Sequence, residues 1–332
     1  MQATPESAMT PTLLFNPSFL DPSSSTQSFE TAPISKRLNQ LIKTYLAADI
    51  LNDRLQDLSQ QFQDPQPRPW QPLNWNQIEP GQIRGIDPLI FLAILAGSID
   101  TETPIRGYTQ TSRQYLSPLH PPMARFVGGT VNDQGDLVEL GLWEKEERQH
   151  SPALQRLYTQ LSGLKLMPLP HDPRPYEPTD NPHQDLFEHG LHRVATEYGA
   201  TCLYVWLMAH STGPLHQVLA ELLIDEINHM TKFWGFGRWA YPHISMFKIL
   251  MTLLRPQLRT TKQKPSSFSR TLKRMMQVLH WEAWSLPNKL SLLWTFVYVL
   301  WHLWRWSRSL NPDQLNRWFG QSPETPCPST GI

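Results

Sequence analysis

Cysteine is almost missing from this chain of 332 residues: Cys202 and Cys327, far apart, are the only two. That excludes a disulfide framework and a Cys-x-x-Cys metal or redox pair, so a reducing compartment, the cytosol, is expected. Acids are almost missing from the last third. Residues 231–332 hold 3 Asp and Glu against 14 Lys and Arg, whereas residues 1–230 hold 26 against 15. The zero formal net charge hides this asymmetry, and a basic block of this kind favours an acidic partner. Zinc-finger, RNP-like and helix-turn-helix signatures are absent, which sets nucleic acid aside in favour of an anionic membrane surface or an acidic protein. A long apolar run is also missing. The uncharged aromatic stretch "LSLLWTFVYVLWHLW" at 290–304 is short for a bilayer span and reads either as an interfacial helix or as one buried on the bundle or in an oligomer interface. The first 35 residues have no positively charged start leading into an apolar region, so they read as a flexible leader rather than a secretory signal.

What is present is enough to build a large core: 40% hydrophobic residues, 11% of the chain aromatic. Residues 36–62 repeat apolar positions at three and four, as an amphipathic helix does. A proline-rich connector then leads to a helix that begins with Asp87 as N-cap and Pro88 at the first helical position. Pro104 is expected to kink that helix. A Pro/Gly loop over 117–138, a helix over about 139–163 and a further loop over 166–183 follow. Two long helices separated by "STG" close the region, and no strand alternation shows before residue 240. The expected organisation is a leader (1–35), an all-helical bundle (36–240), a basic, aromatic-rich helical extension (241–310) and a flexible tail (311–332).

Within that frame the stretch "LWEKEERQH" places Glu147 and His150 three apart, on one helix face, and "DEINH" repeats the spacing with Glu226 and His229. Taken singly, either pair has the spacing of a surface salt bridge. Their surroundings argue otherwise, because Glu226 sits in the apolar "LAELLIDEINHMTKFW", where an inward acid needs a partner or a metal to offset its desolvation. Glu197 in "VATEYGATCLYVW" and Glu102 in "LAGSIDTETPIRGY" are likewise acids in apolar or nearly uncharged helices. The order Glu, Glu-x-x-His, Glu, Glu-x-x-His on successive helices is that of ferritin-like carboxylate bundles with a dinuclear metal site. With Glu147 and His150 inward, Trp143 and Leu154 extend the buried stripe. Glu144 then lies at its boundary, and Glu146 and Lys145 turn to solvent or neighbouring helices, so Glu146 is expected to matter little to the metal.

These segments resemble the soluble acyl-carrier-protein desaturases of the ferritin-like superfamily. "ETPIRGYTQTSRQYL" is similar to that family's first-ligand segment, "WEKEERQH" to its Trp-x-x-Glu-Glu-Asn-Arg-His box, and "DEINH" to its Asp-Glu-Lys-Arg-His box; the likeness covers about 85–235. The resemblance implies Glu102, Glu147 and His150 at one iron and Glu197, Glu226 and His229 at the other, with Glu147 and Glu226 bridging, and Asp225 and Thr201 just outside the ligands. Three positions depart from the pattern. Ala200 stands where the family has a threonine, with Thr201 one residue later, and Gln149 and Asn228 stand where it has arginines.

The implied activity is an oxygen-dependent di-iron oxidoreductase, desaturase-like, attacking a C–H bond of a long acyl or lipid-like substrate. Iron is the expected metal, with manganese as the alternative. No flavin or NAD fingerprint is present, so a ferredoxin-like electron donor is expected. Acyl carrier protein or lipid would be the substrate carrier, an anionic membrane a peripheral docking site, and a homodimer is admitted. Two readings compete: a ferritin- or rubrerythrin-like protein handling iron or peroxide, and a non-catalytic membrane-associated protein with a structural metal site.

Overall fold

Where one amphipathic helix is expected over 36–62, the chain forms three: α1 (Ile34–Tyr45), α2 (Ala48–Gln56) and α3 (Leu58–Gln63). The computed structural model describes residues 29–168, 173, 175–245, 249 and 284–320; the rest of the expected leader, the basic amphipathic stretch through 283 and the tail after 320 lie outside the described residues. The first break falls at Leu46 and Ala47, the latter extended at φ −65°, ψ 147°. The second falls at Asp57, whose carboxylate faces the fully buried Lys232 ammonium at 3.1 Å. With both breaks in place, Leu38, Ile42, Leu51, Leu55 and Leu58 are all buried. Arg37, buried as well, straps α1 to the centre by donating to the Ser211 and Met208 carbonyls.

Helix α4 (Pro88–Glu102) starts where expected: the Asp87 side chain accepts from the Leu89 N–H, and Pro88 opens the helix. Pro104 ends it, and α5 (Ile105–Leu116) continues at a bend of 50°. The Pro/Gly loop expected over 117–138 holds regular structure instead. Its first part is α6 (Pro121–Gly128), and β1 (Thr130–Val131) then pairs antiparallel with β2 (Leu137–Glu139). This short ladder is the one departure from an all-helical reading among the described residues. Gly129 makes it possible: at φ +72°, a Cβ there would meet the Glu139 carbonyl at 1.7 Å.

The remaining helices are α7 (Leu142–Ser162), α8 (Pro182–Ala209), α9 (Gly213–Ala240), α10 (Leu286–Ser307) and α11 (Pro312–Phe319). Helices α8 and α9 form a long hairpin, each about 42 Å at 1.5 Å per residue, and α4 packs beside α7. Side chains of α4, α7, α8 and α9 converge on one buried interior. The "STG" turn between α8 and α9 is tied down where Thr212 N donates to the Gln82 carbonyl and Arg84 N to that of His210. Helix α10 lies on the outer side of the hairpin: Trp206 Nε1 donates to Ser291 Oγ and Trp306 Nε1 to Asn52 Oδ1, both at 2.8 Å. Among the described residues no single helix is long and apolar enough to cross a membrane.

The tail expected from 311 begins with α11, an ordered helix. Its docking depends on His120, which caps α6 through Nδ1, accepting from Met123 N–H at 2.9 Å, and donates from Nε2 to the Phe319 carbonyl at 2.7 Å. Burial lowers the His120 pKa, which keeps this donor–acceptor tautomer neutral. Phe62, Phe236, Trp239 and Phe319 close around the ring. His120→Ala loses a cap and a buried hydrogen bond together, so chemical denaturation should show a loss of about 2–3 kcal/mol. A loss below about 0.5 kcal/mol would show that α11 docks without it.

Candidate metal centre

An acid in an apolar helix is tolerated when something on a facing helix answers its charge. In this interior the answer is reciprocal. Glu102 lies in the last turn of α4, Glu147 and His150 near the start of α7, Glu197 midway along α8, and Glu226 and His229 in the middle of α9. Five of the six are buried and Glu102 is half-buried. Their ligand atoms fall into two overlapping groups, Glu102–Glu147–His150–Glu226 and Glu147–Glu197–Glu226–His229, with every atom of a group within 4.8 Å of the others. Each group could hold a metal ion, and Glu147 and Glu226 belong to both.

The imidazoles show which atoms face that interior. His150 Nδ1 lies 3.2 Å from both Glu147 Oε2 and Glu226 Oε1, and His229 Nδ1 lies 2.8 Å from Glu147 Oε1 and 3.7 Å from Glu197 Oε2. Neither Nδ1 makes a hydrogen bond, nor does Glu226 Oε1. Orphaned buried atoms at these distances from one another are what an ion would satisfy. Both Nε2 atoms point the other way and are engaged: His150 Nε2 with Asp225 Oδ2 at 3.3 Å, His229 Nε2 with Glu146 Oε2 at 2.7 Å. An Nε2–H held by a carboxylate fixes the tautomer and leaves Nδ1 as a lone-pair donor.

Glu146 is therefore neither solvent-facing nor incidental. It is buried, and it turns toward α9 and the connector rather than toward water. Its partner Asp225 holds the same position in the other motif, directly before the ligand Glu. Each acid grips the histidine of the opposite helix, so α7 and α9 are cross-tied twice.

The proline-rich connector completes this outer layer with Arg68, whose importance the sequence does not announce. Its backbone N–H donates to Glu146 Oε1 at 3.0 Å, its Nε to Asp225 Oδ1 at 2.9 Å, and its Nη1 to Glu221 Oε2 at 2.5 Å. Trp70 Nε1 donates to Asp225 Oδ2 at 2.7 Å, and Trp143 Nε1 to Glu147 Oε1 at 3.0 Å. Glu144, buried at the boundary of the inner face, accepts from Thr109 and Arg148. Lys145 donates to the Pro65 carbonyl. Thr201 sits one turn after Glu197, buried, its hydroxyl without a hydrogen bond; Ala200 beside it is half-buried. The guanidinium of Arg193, one turn before Glu197, stands over the rings of Tyr108 and Trp143.

Crowding of like charge shows in the titration of the cluster. Burial, then Glu147 and Glu226, push the Glu102 carboxyl well above its usual range; burial, then the carboxylates of Glu226 and Glu147, do the same to Glu197. Burial and the Glu147 charge also raise Glu226. Burial would raise Glu147 too, but His150 and His229 outweigh it and hold that carboxyl well below. Both imidazoles are raised well above their usual value: burial opposes this, and the surrounding carboxylates prevail.

Comparison with family models, curated proteins and solved structures returns no match.

Two outcomes follow. Replacing Glu147 or Glu226 by Ala removes a ligand from both groups and should abolish metal binding, whereas Glu146→Ala and Asp225→Ala should weaken it about 10–100-fold by freeing the opposite histidine. Isothermal titration with Zn2+ or Fe2+ measures this, and wild-type affinity in Glu146→Ala would refute the cross-tie. The second concerns pH. Groups with raised pKa bind more protons folded than unfolded, so their contribution to the metal-free protein is full below the ordinary carboxyl and histidine values, about 4 and 6.5, and is lost as pH rises from there through the raised folded values. Glu147 and Asp225, held low, act oppositely and lose their contribution only in stronger acid. Melting curves of metal-free protein should therefore fall toward alkaline pH, and metal binding should release protons and tighten as pH rises. Affinity that does not change between pH 5.5 and 8, values chosen to span the ordinary histidine range, would show that the raised groups are not the ligands.

Proposed function

We propose that this protein is a ferritin-like di-iron oxidoreductase that uses dioxygen to attack a C–H bond of a long-chain acyl or other lipid-like substrate. The observation that carries the reading is the pair of overlapping ligand groups sharing Glu147 and Glu226, four carboxylates and two imidazoles in all. That donor set suits two divalent first-row ions and leaves positions free for a reactant. The substrate class rests on the resemblance of the three ligand segments to acyl-carrier-protein desaturases.

When bound, the two ions supply the redox chemistry: with two electrons from outside, they activate dioxygen for abstraction of hydrogen from an unactivated carbon. The chain's own residues prepare the place. His150 and His229 present Nδ1 because Asp225 and Glu146 hold their Nε2 protons. Trp143 fixes one oxygen of Glu147 through its indole N–H. Buried Trp143, Leu154, Tyr204, Leu222 and Met230 line the surrounding helices and exclude bulk water. Glu102, half-buried in the last turn of α4, is the ligand nearest solvent. A ferredoxin-like protein is the expected electron donor.

The test is direct. Protein reconstituted with Fe2+ should hold about two ions per chain, exchange-coupled in its oxidised Mössbauer spectrum. Given reductant, oxygen and a lipid extract, it should yield a product altered by loss of two hydrogens or gain of one oxygen, detected by mass spectrometry. One uncoupled iron per chain would refute the dinuclear centre. Oxygen consumption with iron deposition and no organic product would replace the reading by iron handling.

A further inference from the structure

Helix α10 has two apolar faces, and the bundle uses one. Leu292, Thr295, Val299, Leu303 and Trp306 are buried against α8 and the N-terminal helices. The Tyr198 hydroxyl donates to the Phe296 carbonyl, and Trp206 stacks on Trp284 just before the helix, so its seat is fixed by directional contacts as well as by burial. The opposite face carries Leu290, Leu293, Trp294, Val297 and Trp301, which are 56%, 53%, 52%, 62% and 52% exposed. Their spacing of three and four makes one continuous stripe, about 16 Å long at 1.5 Å per residue. Scattered exposed apolar residues need no explanation, but a contiguous run including two half-exposed tryptophans does.

The charge around the stripe restricts what covers it. No Asp or Glu lies on α10, and Arg305 and Arg308 stand exposed at its C-terminal end. Lys43 of α1 is close enough to lower the His302 pKa together with Arg305, after the larger effect of burial. Along the helix itself Lys289 directly precedes Leu290, and Arg305 follows Trp301 by one turn. A second copy of this chain would bring the cations of two such helices together across its two-fold axis, and like charges disfavour that contact. An anionic lipid surface matches both properties: the headgroups take the cations, and the interfacial layer takes leucine, valine and the indoles, whose N–H stays in the polar zone.

We propose that the outer stripe of α10 docks the protein onto anionic membranes as an interfacial helix lying flat, with α8 and the bundle behind it. The docking is independent of the metal chemistry, because none of the six ligand residues lies on α10.

The experiment uses the full chain, metal-loaded, sedimented with vesicles of phosphatidylcholine alone or mixed with phosphatidylglycerol. Wild-type protein should pellet with the mixed vesicles, less at high salt, and remain in solution with phosphatidylcholine. The variant Trp294→Gln/Val297→Gln/Trp301→Gln alters exposed side chains only, and should bind the mixed vesicles at least about tenfold more weakly with metal content and circular dichroism unchanged. Arg305→Glu/Arg308→Glu, a second variant outside the core, should weaken binding and flatten its salt dependence. Wild-type protein that stays in the supernatant, or a triple variant that binds as wild type, overturns the proposal. So does a concentration-dependent dimer that the triple variant dissociates in the absence of vesicle binding, which would assign the stripe to a second copy. Retention on immobilised polyglutamate with no vesicle binding would assign it to an acidic protein and overturn the proposal equally.

Discussion

Gathering four carboxylates and two imidazoles, five of the six buried, in one interior is the constraint on which the rest of this structure depends. Removing a single ionised carboxylate from water costs several kcal/mol after relaxation, and close neighbours of like sign add to it. No arrangement of leucines offsets that. The cluster persists because almost every atom on its outer side has a hydrogen-bond partner, while the atoms on its inner side are left facing one another. The connector, the breaks in the first helices and the short ladder can be understood as ways of bringing partners to that outer side or of closing the core over it.

The cross-ties explain how so few groups are enough. Glu146 and Glu147 are adjacent on α7, as Asp225 and Glu226 are on α9; the second of each pair faces the interior, and the first reaches the histidine of the other helix. Any sliding of α7 along α9 breaks two hydrogen bonds to buried acids at once. The guanidinium that meets these acids comes from elsewhere in the chain, from Arg68 in the connector. It binds Asp225 and Glu221 through its side chain and Glu146 through its backbone. A connector residue, rather than one in either Glu-x-x-His segment, thus answers the charge of Asp225 and Glu221.

That connector residue marks the limit of what the sequence reveals. Glu102, Glu147, His150, Glu197, Glu226 and His229 stand out because an acid in an apolar helix and a Glu-x-x-His spacing are local patterns, visible within one or two turns. The N-cap at Asp87, the bend at Pro104 and the turn at "STG" are local in the same way. Arg68 and Trp70 lie in a stretch that reads as a linker, and the acids their side chains bind, Asp225 and Glu221, are more than 150 residues away in sequence. For Glu146 the helix geometry leaves solvent and a neighbouring helix open, because it states only which way a side chain leaves its own helix; here α9 meets that face and buries it. Helix α11 and the break at Asp57 also follow from tertiary contacts, those of His120 and Lys232, that no periodicity encodes.

Charge gives the arrangement its last internal logic. The four ligand carboxylates carry four negative charges when ionised, and two divalent cations carry four positive ones. Outside them, Arg68 answers Glu221 and Asp225, Arg148 answers Glu144, and Glu146 is answered by His229. In the absence of metal the same inner charge must be met by protons, and the groups with raised affinity for them are those of the inner layer: Glu102, Glu197, Glu226 and both histidines. Filling both ligand groups with divalent ions would then exchange protons for cations at nearly constant total charge. A cage built this way does not have to unfold or reorganise to be filled, because the hydrogen bonds that aim its histidines involve none of the atoms that give up a proton to the metal.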